Sequence, residues 1–280
     1  MNNTFNIKRF GLVFRKDFIE NGKRYLLLFL TMLGIMAIIM TFYSWKHYQL
    51  GSYGRYLFLN RILLEMLSFL FFGFGIWFAS TFVSPMNNKL KRLSYLISPS
   101  SNLEKYLVRW IITTIGFIIA FFAAMWIADI LRIAICSVKY PYADIKLLDI
   151  TKLVAPKDNN NWGEYVVPQN VFIIMISIYF LLQSVFLLGS TFWEKSTFIK
   201  TFSAVAVIVG AYLLICRWAI LLFYGNMERY GNVISSFKLD QYFSEDQMVI
   251  FTAAVFTVFS IIFWILSFFR MKESEIIKRI

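Results

Sequence analysis

Few residues in this sequence have the types and spacing that catalysis requires. The chain contains one histidine, His47, and two cysteines, Cys136 and Cys216, with neither a CxxC nor an HExxH motif. A conventional zinc site therefore lacks ligands, and two cysteines cannot form a disulfide framework. His47 lies beside Trp45 and Tyr48 without an accompanying acid or nucleophile pattern, which favours a surface residue over a catalytic base.

Motifs for phosphate chemistry and nucleophilic catalysis are also missing. The sequence contains no G-x-x-x-x-G-K-[ST] loop, which would cradle phosphates, and no G-x-S-x-G nucleophile motif. The chain is therefore not expected to hydrolyse ATP itself or to be an enzyme. We expect it to have no catalytic residues, no cofactor and no metal site.

Ionisable residues inside long apolar runs are the remaining candidates. Glu65 follows Arg61 by four residues and Asp129 precedes Arg132 by three, so each acid can pair with a base on its own helix. Arg217 has no acid at such spacing. It needs a partner from another helix or from water, because an unpaired charge in an apolar environment is costly.

These features suggest residues that could line a pathway through the apolar runs. Arg217 is the best single candidate, and Glu65 is a second. Gln183 is a third, although hydrogen bonding to a neighbouring helix is the simpler interpretation of an amide in such a position. For the two acid–base pairs, a structural role is likewise the simpler interpretation.

The elements that carry these residues are long and apolar. The 280 residues are 59% hydrophobic and 16% charged, and their mean hydropathy is +0.64. A soluble protein of this size could not bury so much apolar surface, which points to an all-α integral membrane protein with a single transmembrane domain over residues 1–280. Six segments are long enough to cross a membrane as helices: about 25–43, 62–84, 107–131, 171–192, 201–223 and 248–269.

Positive charge is concentrated on one side of these spans. The segments that share a side with the N-terminus carry +11 of the total net charge of +12. Since Lys and Arg accumulate on the inner side of membranes, both termini are expected to lie on the inside of a bacterial cytoplasmic membrane. The excess charge therefore orients the protein and favours membrane lipid, not nucleic acid, as a partner.

Residues 5–20, before the first span, have the pattern of a basic amphipathic helix in the membrane interface. Ile7, Phe10, Phe14 and Phe18 recur at steps of three and four residues. The cations of this stretch lie on other faces: Lys8, Arg9, Arg15 and Lys16. An anchor to anionic lipid is the simpler interpretation, and a docking surface for a cytoplasmic partner is the other.

Residues 85–106 are predicted to form a structured cytoplasmic loop. Pro85 should end the second span, and Pro99 should break a short helix. Ser101 and Glu104 have the spacing of a capping box, which predicts a new helix running into the third span. The loop is therefore expected to fold back on itself.

Two longer segments, 137–169 and 224–247, are expected on the external side. The second ends in Ser244-Glu245-Asp246-Gln247, which is predicted to be another capping box and to open the sixth span.

The order of these parts resembles the permease subunits of type-two ATP-binding-cassette exporters. Such permeases have a basic interfacial helix, two spans, a bent cytoplasmic helix-turn and four further spans. The most specific match is S-P-S-S-N-L-E-K-Y at residues 98–106, which resembles the version found in Bacteroidetes-type members. Ser98 stands where many members have leucine before the proline.

The resemblance implies a pathway-forming subunit that pairs with a second permease copy, as a homodimer or a heterodimer. It also implies a separate cytoplasmic ATPase, which would contact residues 5–20 and about 89–106. The coupling residues that it implies are Phe10, Phe14, Arg92, Ser98, Pro99, Ser101, Leu103, Glu104 and Lys105.

Two other functions remain open. A membrane enzyme acting on lipid or a lipid-linked substrate would need acids and histidines together at one interface, for example Glu65, Asp129 and His47. A non-transport membrane scaffold would need only the cytoplasmic surface, with the intramembrane charges dispensable.

Overall fold

The structure is helical throughout the part of the chain that it describes. This computed structural model describes residues 5–49, 56–83, 100–141, 145–148, 169–193, 196–225 and 244–277. The α-helices are Ile7–Gln49 (α1), Tyr56–Ser80 (α2), Asn102–Ile111 (α3), Phe117–Lys139 (α4), Gln169–Phe192 (α5), Thr197–Tyr224 (α6) and Glu245–Ile277 (α7). Within the described ranges there is no strand.

Six helices are long and apolar enough to cross a membrane, as the composition predicted. Their bounds differ from the predicted spans mainly by extension into polar sequence. For example, the third span, predicted at 107–131, is part of a rod over Asn102–Lys139 that combines α3, a π-helix and α4. The second helix ends at Ser80, earlier than predicted, and is followed by a turn at residues 81–83.

The N-terminal segment and the first span form one continuous helix, α1. Residues 5–49 contain no proline, so no residue forces a break between the basic segment and the apolar one. Among residues 5–24, which carry the cations before the first span, the buried side chains are Asp17 and Asn21, whereas Ile7 and Phe18 are exposed. A polar face of this segment therefore packs on the protein.

The capping boxes are present where the spacing predicted them. The Glu104 amide donates to Ser101 Oγ at 3.3 Å and the Ser101 amide donates to Glu104 Oε2 at 3.0 Å, which starts α3. The equivalent distances for Gln247 and Ser244 are 3.4 Å and 3.1 Å at the start of α7. Each pair satisfies amides that a helix leaves unpaired at its first turn.

The helices pack around two apolar clusters. The larger joins α1, α2 and α4, and in it the ring of Phe71 makes tilted contacts with Phe117 and with Tyr179 from α5 and an edge contact with Phe121. The smaller joins the end of α2 to α3, α5 and α7 around Tyr106. Helix α6 contributes little to either, because its most apolar stretch contains no buried residue.

A π-helix, Ile112–Gly116, lies between α3 and α4. Such single-turn widenings are common at functional positions of α-helices. Here it lies where the rod passes from the polar end of the bundle into the apolar middle.

Candidate functional site

Two ion pairs join the first part of α1 to α3, one at the first turn of α3 and one at its last turn. Arg9 Nη2 lies 2.9 Å from Glu104 Oε1, and Arg109 Nη2 lies 2.9 Å from Asp17 Oδ1. We call Arg9, Asp17, Glu104 and Arg109 the N-terminal cluster. Each pair joins residues more than ninety positions apart in the sequence.

Glu104 is the most completely buried member of the N-terminal cluster. One carboxylate oxygen, Oε1, accepts from the Asn6 amide at 2.8 Å and from Arg9. The other, Oε2, accepts from the Ser101 amide. A buried carboxylate is tolerated only when it is paired and hydrogen-bonded, and both conditions are met here. The capping residue of α3 therefore also holds α1 in place.

Asp17 and Arg109 form the second half of the N-terminal cluster. Asp17 accepts hydrogen bonds from Asn21 Nδ2 at 3.0 Å and from the Tyr25 hydroxyl at 2.7 Å, in addition to Arg109. Arg109 Nη1 donates to the Phe82 carbonyl at 2.7 Å, just after the end of α2. This one ion pair therefore connects α1, α2 and α3.

The predicted coupling residues that are described lie at this same end. Ser101 and Glu104 take part in the contacts above, and Lys105 is buried beside them. Leu103 is exposed in the first turn of α3. Phe10 contacts the Phe5 ring, with centroids 5.7 Å apart.

Four further predicted residues complete the set of coupling candidates. The ring of Phe14 stacks on Phe18 with the centroids 6.1 Å apart. Arg92, Ser98 and Pro99 lie outside the described residues, as does most of the predicted loop.

Sequence reasoning missed the basic and acidic partners of this cluster. Asp17 and Arg109 enter the sequence analysis only through the summed charge of +11 on one side of the spans. A local signal was present, because Asp17, Asn21 and Tyr25 recur every four residues and so share one face of α1. Nothing in the sequence spacing connects that face with Arg109.

A second charged network lies at the opposite end of the bundle. Arg132 Nε is 2.6 Å from Asp129 Oδ1, and their side chains are 1% and 4% exposed. Arg132 also donates to the Lys146 carbonyl at 2.7 Å, and Asp129 Oδ2 accepts from the Leu148 amide at 2.8 Å. Ser44 of α1 lies 3.5 Å from Arg132. We call Ser44, Asp129, Arg132 and segment 145–148 the distal cluster.

The three pathway candidates have different surroundings. Glu65 pairs with Arg61 at 2.8 Å, as predicted, and both side chains are exposed. Arg217 is exposed on α6. Gln183 is fully buried.

Gln183 connects three helical segments in the middle of the bundle. Its Nε2 donates to Thr114 Oγ1 of the π-helix at 2.9 Å, and its Oε1 accepts from Trp264 Nε1 of α7 at 3.0 Å. These contacts agree with the simpler interpretation of Gln183 as an interhelical hydrogen-bonding residue. Nearby, the Tyr106 hydroxyl lies 2.7 Å from Ser267 Oγ and joins α3 to α7.

The described residues contain no group of three or more His, Cys, Asp or Glu side chains that could hold a metal ion. Comparison of the chain with protein-family models, with curated proteins and with solved structures finds no match.

Proposed function

We propose that this chain is the membrane-spanning permease subunit of an ATP-driven ATP-binding-cassette exporter. In this proposal it lies in a bacterial cytoplasmic membrane with both termini inside. It forms the translocation pathway with a second permease copy and draws its energy from a separate cytoplasmic ATPase.

The observation that carries the proposal is the N-terminal cluster. The resemblance implies that the ATPase acts on the N-terminal segment and on the helix that leads into the third span. Those two elements, the start of α1 and α3, are joined by Arg9–Glu104 and Asp17–Arg109. A push on either element is therefore transmitted to the other, and through Arg109 and the Phe82 carbonyl to the end of α2.

The surface around this cluster suits a protein partner. Leu103 is exposed in the first turn of α3, next to buried Glu104. The first part of α1 adds exposed apolar side chains, Phe5, Ile7 and Leu12. A protein interface has an apolar centre within a polar rim, which exposed apolar side chains with basic ones around them can supply.

The test is whether the tagged chain co-purifies with a nucleotide-binding ATPase from its native membrane. Leu103→Glu places a charge on an exposed position and should leave the fold intact, so it probes the surface alone. Its matched control is Leu147→Glu, an exposed leucine at the distal end. Glu104→Arg probes the cluster itself, and Glu65→Arg is its control at an exposed acid.

We expect Leu103→Glu and Glu104→Arg to lower ATPase recovery at least about tenfold, which is the effect of losing roughly 1.4 kcal/mol of binding. The controls should bind as the native chain does. The proposal fails if no nucleotide-binding ATPase co-purifies with the native chain. It also fails if Leu103→Glu and Leu147→Glu lower ATPase recovery equally.

The orientation has its own test. If the C-terminus lies inside, a C-terminal alkaline phosphatase fusion should be inactive and a C-terminal green fluorescent protein fusion should be bright. The opposite pair of results would reverse the charge-based orientation and remove the ATPase from this face.

A further inference from the structure

An apolar groove of about 270 Å³ lies between α1, α2 and the π-helix–α4 rod. We call it the α1–α2 groove. Its α1 wall includes Phe18, Tyr25 and Met32, and its α2 wall includes Trp77. Ala120 of α4 lines the opposite side. The lining contains aromatic and aliphatic side chains almost throughout, so its occupant must be apolar over most of its length.

The groove is long enough to extend through one leaflet of a bilayer. Its α1 wall runs from Phe14 to Met32, about 27 Å at 1.5 Å per residue. Half of a bilayer's hydrocarbon core is about 15 Å, and the polar interface adds several ångströms. Phe14 and Phe18 form the end of the groove nearer the N-terminal cluster, and Tyr25, whose hydroxyl donates to Asp17 of that cluster, lies between this end and Met32. The other end is near the middle of the first predicted span.

Positive charge borders the end of the groove that adjoins the N-terminal cluster. Arg15 is exposed and lies three residues before Phe18, which places it next to a groove wall on the helix surface. Lys8 is exposed on the same side of α1, two turns earlier.

The nearby acids do not neutralise that charge. Both oxygens of Asp17 are used within the protein, by Arg109, Asn21 and Tyr25. Glu20 lies 3.8 Å from Lys16, on another part of the helix surface. A negatively charged group beside Arg15 would therefore be attracted without a competing carboxylate in contact from the described residues.

We propose that the α1–α2 groove binds an anionic phospholipid, with one acyl chain between α1, α2 and α4 and the phosphate beside Arg15. The apolar lining suits an acyl chain. The cations at one end favour an anionic headgroup over a zwitterionic one, which gains less from a cation, and Asp17 does not compete because its oxygens are hydrogen-bonded within the protein. The site does not depend on the proposed transport function.

The experiment uses the full-length protein, stripped of lipid in detergent and exposed to equal amounts of phosphatidylglycerol and phosphatidylcholine. Bound lipid is counted by native mass spectrometry. Arg15→Gln removes the charge at the groove, and Arg270→Gln is its control at another exposed arginine. Ala120→Phe fills the groove, and Ala206→Phe is its control on the exposed surface of α6. Ile115→Trp fills the groove from a more exposed position, in case Ala120→Phe does not fold.

The native protein should retain phosphatidylglycerol in preference to phosphatidylcholine. Arg15→Gln should lower that preference about fivefold, the change expected for one cation near an anionic headgroup. The groove-filling variants should lose both lipids at this site. The proposal is overturned by equal retention of the two lipids, by equal behaviour of Arg15→Gln and Arg270→Gln, or by full retention in a folded groove-filled variant.

Discussion

The two charged clusters at the ends of the bundle are built in different ways. In the distal cluster the acid and the base belong to the same helix, three residues apart, and their side chains are almost completely buried. In the N-terminal cluster each acid and each base come from different helices. One of the bases, Arg9, keeps 30% of its side chain exposed.

This difference has a mechanical consequence. The Asp129–Arg132 pair lies within α4 and persists when α4 moves as a rigid body, so it can keep its contacts to segment 145–148 when the other helices move. The pairs between α1 and α3 exist only when those helices keep their present separation. The N-terminal cluster is therefore the one whose energy depends on how the helices are arranged.

The largest expected effect comes from breaking the distal cluster. Arg132→Met should leave the carboxylate of Asp129 buried without its counter-ion and lower the free energy of unfolding by about 3–5 kcal/mol. Thermal unfolding of the purified protein in detergent measures the loss. Because the penalty comes from the orphaned charge, the double variant Asp129→Leu with Arg132→Met should recover part of it. No recovery in the double variant would mean that packing of Arg132, and not its charge, supplies the stability.

Breaking the N-terminal cluster should cost less. Asp17→Leu removes the acid that faces Arg109, yet Arg109 keeps its hydrogen bond to the Phe82 carbonyl. We expect a loss of about 2–3 kcal/mol, since a buried charge loses its counter-ion but keeps a hydrogen bond. The matched control is Glu20→Leu, an exposed acid on the same helix, which should change stability by no more than about 0.5 kcal/mol.

The same substitution tests the mechanical difference directly. Spin labels on α1 and α3 should report a broader distance distribution in Asp17→Leu than in the native protein. Labels on α4 and segment 145–148 should be unaffected. An unchanged α1–α3 distribution would show that packing alone fixes those helices and that the ion pairs are passive.

Contacts between residues that are close in the sequence could be predicted, whereas contacts between residues on different helices could not. Local patterns were reliable: both capping boxes, the pairing of Asp129 with Arg132 and the pairing of Arg61 with Glu65 all follow from spacing within one helix. The six long apolar helices follow from composition. The pairing of Asp17 with Arg109 does not, because no local rule relates residues on α1 to residues on α3.

The sequence also did not show which of the ion pairs would be buried. Arg61–Glu65 and Asp129–Arg132 have almost the same spacing, but only the second pair is covered by neighbouring elements. The covering atoms come from Ser44 and from segment 145–148, which are distant in sequence. The packing of Asp17 and Asn21 on the protein was likewise not predicted, and the interfacial location of the apolar face of residues 5–20 stays a prediction.

Substitutions in the apolar middle of the bundle can be compared with those in the two charged clusters, because there the effect on stability comes from packing. A Cβ atom added at Gly75 would lie 2.6 Å from Tyr179 Cε2, whereas one at Gly73 would meet nothing within 4 Å. Gly75→Ala should therefore force the Tyr179 ring to shift, at a cost of about 1–3 kcal/mol. Gly73→Ala should be neutral or stabilising by up to about 1 kcal/mol, because alanine favours the helix. Thermal unfolding compares the two, and equal melting temperatures would mean that the ring moves freely.

The smallest effect is expected at the exposed pair on α2. The side chains of Arg61 and Glu65 are 42% and 54% exposed, so the solvent weakens their attraction. The loss of side-chain freedom on pairing offsets part of the attraction that remains. Glu65→Gln should change the free energy of unfolding by less than about 1 kcal/mol, against the several expected for Arg132→Met. The two variants are compared in the same detergent by thermal unfolding. If Glu65→Gln costs as much as Arg132→Met, then Glu65 is covered in the assembled protein, by a partner or by apolar lipid. That result would strengthen Glu65 as a pathway candidate, and Arg61–Glu65 could no longer be treated as an exposed pair.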